Sequence, residues 1–147
     1  MRIISGNFKG KKLFVPLNKN TRPLKDLVKE SIFNLINHSK NINLEIENSL
    51  ILDLFSGTGS FGVECLSRGA RKVIFLENYP EALKILEKNL KSLKGISNYE
   101  IIQTDCFNFF RSDKKIKLNF DIIFIDPPYK EKKINEIIEK IKENNLL

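Results

Sequence analysis

Apolar residues in this chain come in two rhythms, short unbroken runs and stripes at helical spacing, and the two alternate from residue 50 onward. Unbroken runs suit strands buried in a parallel sheet, whereas recurrence at i, i+3, i+4 and i+7 suits helices with one buried face. The runs cover residues 50–55, 73–77, 99–103 and 120–126. The first helix between them is opened by the glycine-rich stretch 56–62 and ends near Arg68-Gly69. The next starts at Pro80, carries Leu83, Leu86, Leu90 and Leu93 on one face, and is stopped by Gly95. After the last run the spacing predicts a helix near 131–143, with Ile134, Ile137, Ile138 and Ile141 inward. Regular alternation of strand and helix predicts an α/β fold built on a mostly parallel sheet.

Upstream, residues 2–15 read as a hairpin: Ile3-Ile4, a turn over 5–10, then Leu13-Phe14-Val15 up to Pro16. Leu24, Leu27, Val28, Ile32, Leu35 and Ile36 then recur at helical spacing, so a helix over 25–37 should lay that face on the sheet. The expected organisation is a basic hairpin extension over 1–20 and one α/β domain over 21–147. Residues 112–117 read as a mobile surface loop.

Charge sharpens this division. The net charge is +7, and residues 1–40 carry all of it, with nine Lys/Arg against Asp26 and Glu30. A focused basic segment argues for a polyanionic partner. Lys9, Lys11 and Lys12 flank Phe8, a set that can grip phosphate and stack on a base, although a solvated hairpin would look similar. A length of 147 residues with 41% hydrophobic content suits one core. The sequence has no run of 18 apolar residues and no apolar leader, so a soluble, cytoplasmic protein without a membrane partner is expected. Cys65, Cys106 and the single His38 lack ligand spacing, so free thiols, no metal and a solvated His38 are expected.

The chemistry gathers where the runs end. Open parallel sheets bind ligands outside the carboxyl ends of their strands. The first run leads into Ser56-Gly57-Thr58-Gly59-Ser60-Phe61-Gly62, a G-x-G-x-x-G opening a helix. Asp53 precedes it, Glu77 ends the second run and Asp105 follows the third. A pyrophosphate would be repelled by these acids, whereas S-adenosylmethionine, with an ammonium, a sulfonium and no phosphate, is attracted. Asp53 capping its own loop and Asp105 capping a helix are the plainer alternatives. The last run exits into Asp126-Pro127-Pro128-Tyr129, a stiff frame. Its two proline carbonyls should face the cleft without a competing local donor, and with the tyrosine face they suit a flat base bearing an exocyclic amine. A simple loop stop remains the alternative there.

LDLFSGTGSFGVECLSRGA, LEN at 76–78, TDCF at 104–107 and FDIIFIDPPY together resemble the motifs of class I methyltransferases. More narrowly, MRIISGNFKGKKL and the TRP…D.VKE.IFN pattern at 21–34 resemble the bacterial enzymes that methylate N2 of a guanine in 16S ribosomal RNA. The resemblance implies a Rossmann-like sheet in strand order 3-2-1-4. It also implies cofactor contacts from Asp53, Phe55, Gly57, Gly59, Glu77, Asn78, Asp105 and Cys106. The base would be held by Asp126, Pro127, Pro128 and Tyr129, and RNA by Lys9, Lys11, Lys12 and Arg22. The implied partner is 16S ribosomal RNA within a small-subunit assembly particle. Adenine-N6 methylation of DNA and a non-catalytic nucleotide- or RNA-binding module are the alternatives. The sequence departs from the family at Leu24, Lys25 and Leu27, and it ends before the last three strands that the family's sheet would need. The last strand is therefore expected at an open edge, completed by missing strands or covered by a second chain.

Overall fold

The computed structural model describes residues 1–17, 24–112 and 117–147. Arg22, most of the link after Leu17 and the centre of the loop expected over 112–117 lie outside the described residues. Four strands, β1 (Leu50–Asp53), β2 (Lys72–Leu76), β3 (Tyr99–Ile102) and β4 (Ile122–Phe124), pair in parallel in the order β3-β2-β1-β4. Five helices accompany them among the described residues: α1 (Asp26–His38), α2 (Ser60–Ser67), α3 (Pro80–Lys91), α4 (Cys106–Arg111) and α5 (Ile134–Glu143). The parallel direction is that expected from the alternation, and the order is the one the resemblance implies.

Each strand has two apolar faces because each divides its residues between two cores, with successive side chains pointing opposite ways. Ile51, Val73 and Phe75 join Phe61, Val63, Leu86 and Leu90 of α2 and α3. Leu50, Leu52, Ile74 and Leu76 join Cys106, Ile137 and Ile141 of α4 and α5. On the first face Gly62 sets how closely α2 approaches, since a Cβ there would lie 2.2 Å from the Phe75 ring. Phe61 stacks on Phe33 at 5.2 Å and on Phe124 at 3.8 Å, tying α1 and β4 to the same layer.

The last strand and two helices depart from expectation. The strand at 122–124 is half-buried rather than buried on both faces, because among the described strands it pairs with β1 alone. In α1 the inward positions are Lys29 and Phe33, with Ile32 and Ile36 partly covered, while Leu27, Val28 and Leu35 are exposed. The helix is rolled toward α2 because Lys29 faces Glu64 and Phe33 stacks on Phe61 beneath Arg68. In α5 only Ile137 and Ile141 are buried, and Ile134 and Ile138 stay exposed.

The N-terminal segment departs further. Instead of two strands it forms a single antiparallel bridge, Arg2 to Lys12. Several of its other N–H groups are taken by side chains far along the chain. Glu64 accepts from Ile4 and Ser5 at 2.8 and 2.9 Å, Ser67 Oγ accepts from Phe8 at 3.0 Å, and Asn89 Oδ1 accepts from Phe14 at 2.7 Å. Gly6, at φ +83°, allows the approach, since a Cβ would lie 1.9 Å from the Ser67 carbonyl oxygen. Ile3 and Leu13 are buried in the same core as Phe33 and Ile51.

Candidate active site

Register brings the acids to one place. Asp53 pairs with Phe75 and with Phe124, so Glu77 and Asp126 each lie two residues beyond it on the neighbouring strands. Ile102 pairs with Leu76, which places Asp105 past the same carboxyl edge. Asp53 shares the parity of Ile51 and therefore faces the α2 layer, beneath the glycine turn. Leu54 and Phe55 lead into the turn, with Phe55 packed partly into the second core.

Two glycines and one carboxylate shape the turn. Gly57 and Gly59 have φ values of +54° and +84°, and Gly59 N-caps α2 without a side chain. A Cβ on Gly59 would lie 2.4 Å from Leu86. Glu77 clamps the loop, with Oε2 accepting Gly57 N–H at 2.7 Å and Oε1 accepting the N–H groups of Asn78 and Tyr79 at 2.9 and 2.8 Å. A carboxylate offers about four lone-pair directions, so room remains for a ribose hydroxyl.

Asp53 is the anomaly. It is 1% exposed, and neither carboxylate oxygen has a hydrogen-bond partner among the described residues. Burial pushes its pKa up to about 8, the nearby Gly62 N–H pulls it down in part, and the charges of Asp126 and Glu77 push it further up. Thr58 Oγ1, in the same turn, is likewise buried without a partner. An acid that merely capped its own loop would have its oxygens filled. These groups fit a cationic, hydrogen-bond-donating ligand.

Asp105 behaves differently. It N-caps α4, accepting Asn108 N–H at 2.9 Å and the Asn108 side-chain amide at 2.6 Å, so the plainer reading of this residue is realised. Cys106 is buried beside it, with its thiol pushed up to about 11 by burial. Asn78 is exposed at the mouth.

At the exit of β4, Asp126 is exposed, yet partial burial of its carboxyl raises its pKa. Tyr129 is 86% exposed. Of the two proline carbonyls expected to lack local donors, that of Pro128 accepts Glu131 N–H at 2.8 Å, because the chain turns back toward α5. That leaves the Pro127 carbonyl beside Asp126. Among the RNA contacts read from sequence, Lys9 and Lys12 are exposed and Lys11 is half-buried. Phe8 is half-buried against the core, and the exposed aromatic of the N-terminal segment is Phe14, with Lys88 Nζ 3.8 Å over its ring. Sequence reading missed the roles of Phe14, Lys88, Asn89 and the buried pair Lys29–Glu64. Glu64, the one charged residue of α2, was the available signal.

The model of the family described as Conserved hypothetical protein 95 matches residues 1–147. The chain belongs to this family. It is 38% identical over 148 residues to the Ribosomal RNA small subunit methyltransferase D of Haemophilus influenzae, an alignment spanning all of this chain and 73% of that protein. The solved structure of yhhF from Escherichia coli superposes with a TM-score of 0.80 at 31% identity, over 98% of this chain and 73% of that one. SMU.776, solved in complex with SAH, shares the fold at 24% identity and a TM-score of 0.62, over 78% of this chain and 31% of that one. The fold is that of class I methyltransferases.

Proposed function

We propose that this protein is an S-adenosylmethionine-dependent methyltransferase that modifies the exocyclic N2 amine of a guanine in small-subunit ribosomal RNA. The observation that carries the reading is the buried, unpartnered carboxylate of Asp53 under a glycine turn. It calls for a ligand with an ammonium group and no phosphate. The relatives named as ribosomal RNA small subunit methyltransferases support the RNA substrate.

The cofactor supplies an electrophilic methyl group on a sulfonium. Asp53 and Glu77 hold its charged and ribose ends, and the glycines let the backbone approach it. Guanine N2 is a poor nucleophile because its lone pair is delocalised into the ring, so positioning does most of the work. Asp126 and the Pro127 carbonyl accept the two N–H bonds of the amine and localise that lone pair. Tyr129 stacks on the base once it has left its own stack. The amine loses a proton late, to Asp126 or to water, and the raised pKa of Asp126 suits that acceptor role. Lys9, Lys11, Lys12 and Arg22 hold RNA phosphates, and the substrate is the small-subunit assembly particle.

The test is transfer of labelled methyl to small-subunit particles, free 16S ribosomal RNA and duplex DNA, followed by analysis of the modified nucleoside. N2-methylguanosine in RNA is the expected product. N6-methyladenine in DNA, or cofactor binding without turnover on any of the three, would overturn the proposal.

A further inference from the structure

One buried amide joins the N-terminal segment to the glycine turn. Asn89 of α3 is fully buried. Its Oδ1 accepts Phe14 N–H at 2.7 Å, and its Nδ2 donates to the Phe14 carbonyl at 3.1 Å and to the Thr58 carbonyl at 2.9 Å. A single side chain thus pairs with both polar groups of Phe14, as a neighbouring strand would, and holds the middle of the turn with its second N–H. The buried face of α3 otherwise carries Ala82, Leu86 and Leu90, so packing alone asks for an apolar residue at 89.

The segment is braced a second time. Lys29 Nζ donates to the Arg2 carbonyl at 2.7 Å, lies 3.4 Å from Glu64 and reaches Ser60 Oγ at 3.4 Å. Arg2 bridges to Lys12, two residues before Phe14. Thr58 and Ser60, the residues on either side of Gly59, are therefore both tied to the segment. On the outer side, the 42% exposed Phe14 carries Lys88 over its ring, and Lys12, two residues before it, is exposed as well. RNA resting there bears on the backbone that Asn89 holds.

We propose that Asn89 is a positioning residue that couples RNA held at residues 12–14 to the turn that takes the cofactor, so that the two ligands bind with positive cooperativity. The inference rests on the function proposed above. Its physical basis is shared order: the entropy of fixing Phe14 and Thr58 is lost when the first ligand binds and not again for the second. Coupling of this kind is reciprocal.

The experiment is calorimetric titration of the full chain with S-adenosylhomocysteine, with and without saturating small-subunit particles as the source of the RNA. In the wild type, RNA should tighten the cofactor product by about fivefold or more, and the product should tighten RNA by the same factor. Asn89→Leu keeps the branching and the number of side-chain heavy atoms without the hydrogen bonds, and it should lose that factor whatever its separate affinities. Hydrogen exchange on the wild type needs no variant to fold: RNA should slow exchange at the amides of Gly57, Thr58 and Gly59. Independent affinities in the wild type, unchanged exchange at the turn, or coupling that persists in folded Asn89→Leu each overturn the inference and leave the proposed activity standing. Failure to bind S-adenosylhomocysteine or RNA at all overturns the proposed function, and the inference with it.

Discussion

Asp53 and Asp126 lie two residues apart in register on adjacent strands, yet their surroundings are opposite. Asp53 is on an interior strand, roofed by α2 and cut off from water, while Asp126 follows an outer strand and is exposed. The first environment stores an unfavourable state that a cation relieves, and the second stores almost nothing. The cofactor half of the cleft is closed over by the protein, and the half that meets the base is exposed.

The largest effect should come from Asp126→Ala. Methyl transfer should fall by about a hundredfold or more, the usual weight of an acceptor used in the transition state. Affinity for S-adenosylhomocysteine should stay within a few fold, and comparable loss of affinity and rate would erase the division between the halves. Asp53→Asn should show the reverse, weakening the cofactor product by roughly 1–3 kcal/mol in calorimetry.

The same Asp53→Asn variant carries a pH signature. The folded pKa of Asp53, about 8, stands above the ordinary 3.8, so the folded state holds the proton more tightly between those values. Unliganded stability should therefore fall as pH rises from 3.8 to about 8, the reverse of an ordinary salt-bridged carboxylate. With the amide in place of the acid that part of the slope should vanish, read as urea midpoints at about pH 5 and about pH 8. Cofactor affinity in the wild type should rise over the same interval as Asp53 ionises.

A smaller change is expected from Gly62→Ala, which drives a methyl into the Phe75 ring and should cost about 1–3 kcal/mol of stability by overpacking. The smallest belongs to the rim. Lys9→Ala and Lys12→Ala should each lower RNA affinity modestly and reduce the slope of log affinity against log salt by about one. An unchanged slope in both would make that surface merely solvated.

The strands, the helices and the location of the cleft were legible because they follow from local periodicity, and the order of the sheet was legible only through the resemblance to class I methyltransferases. Runs and stripes specify strands and helices, and parallel register then delivers Asp53, Glu77 and Asp126 to one edge. The N-terminal segment was misread because its partners are remote. The N–H groups of Ile4, Ser5, Phe8 and Phe14 end on Glu64, Ser67 and Asn89, and no spacing within residues 1–17 announces them. Phe8 and Phe14 look alike in sequence, and only docking on α2 and α3 decides which of them packs against the core. The roll of α1 escaped for the same reason, since a lysine turned inward is explained by Glu64 and by nothing in its own helix. Asp105 could be read two ways, and of these the helix cap is the one formed by contacts within the chain.

The close fit of Gly6 against Ser67 reaches beyond packing. Ile4 and Phe8 find their hydrogen-bond partners at Glu64 and Ser67, about sixty residues further along the chain. Contacts so distant in sequence form late, because the loop between them must close first. The N-terminal segment therefore settles only after α2 has formed. A pulse of hydrogen exchange during refolding should find the amides of Ile4, Ser5 and Phe8 still open when those of α2 are already protected.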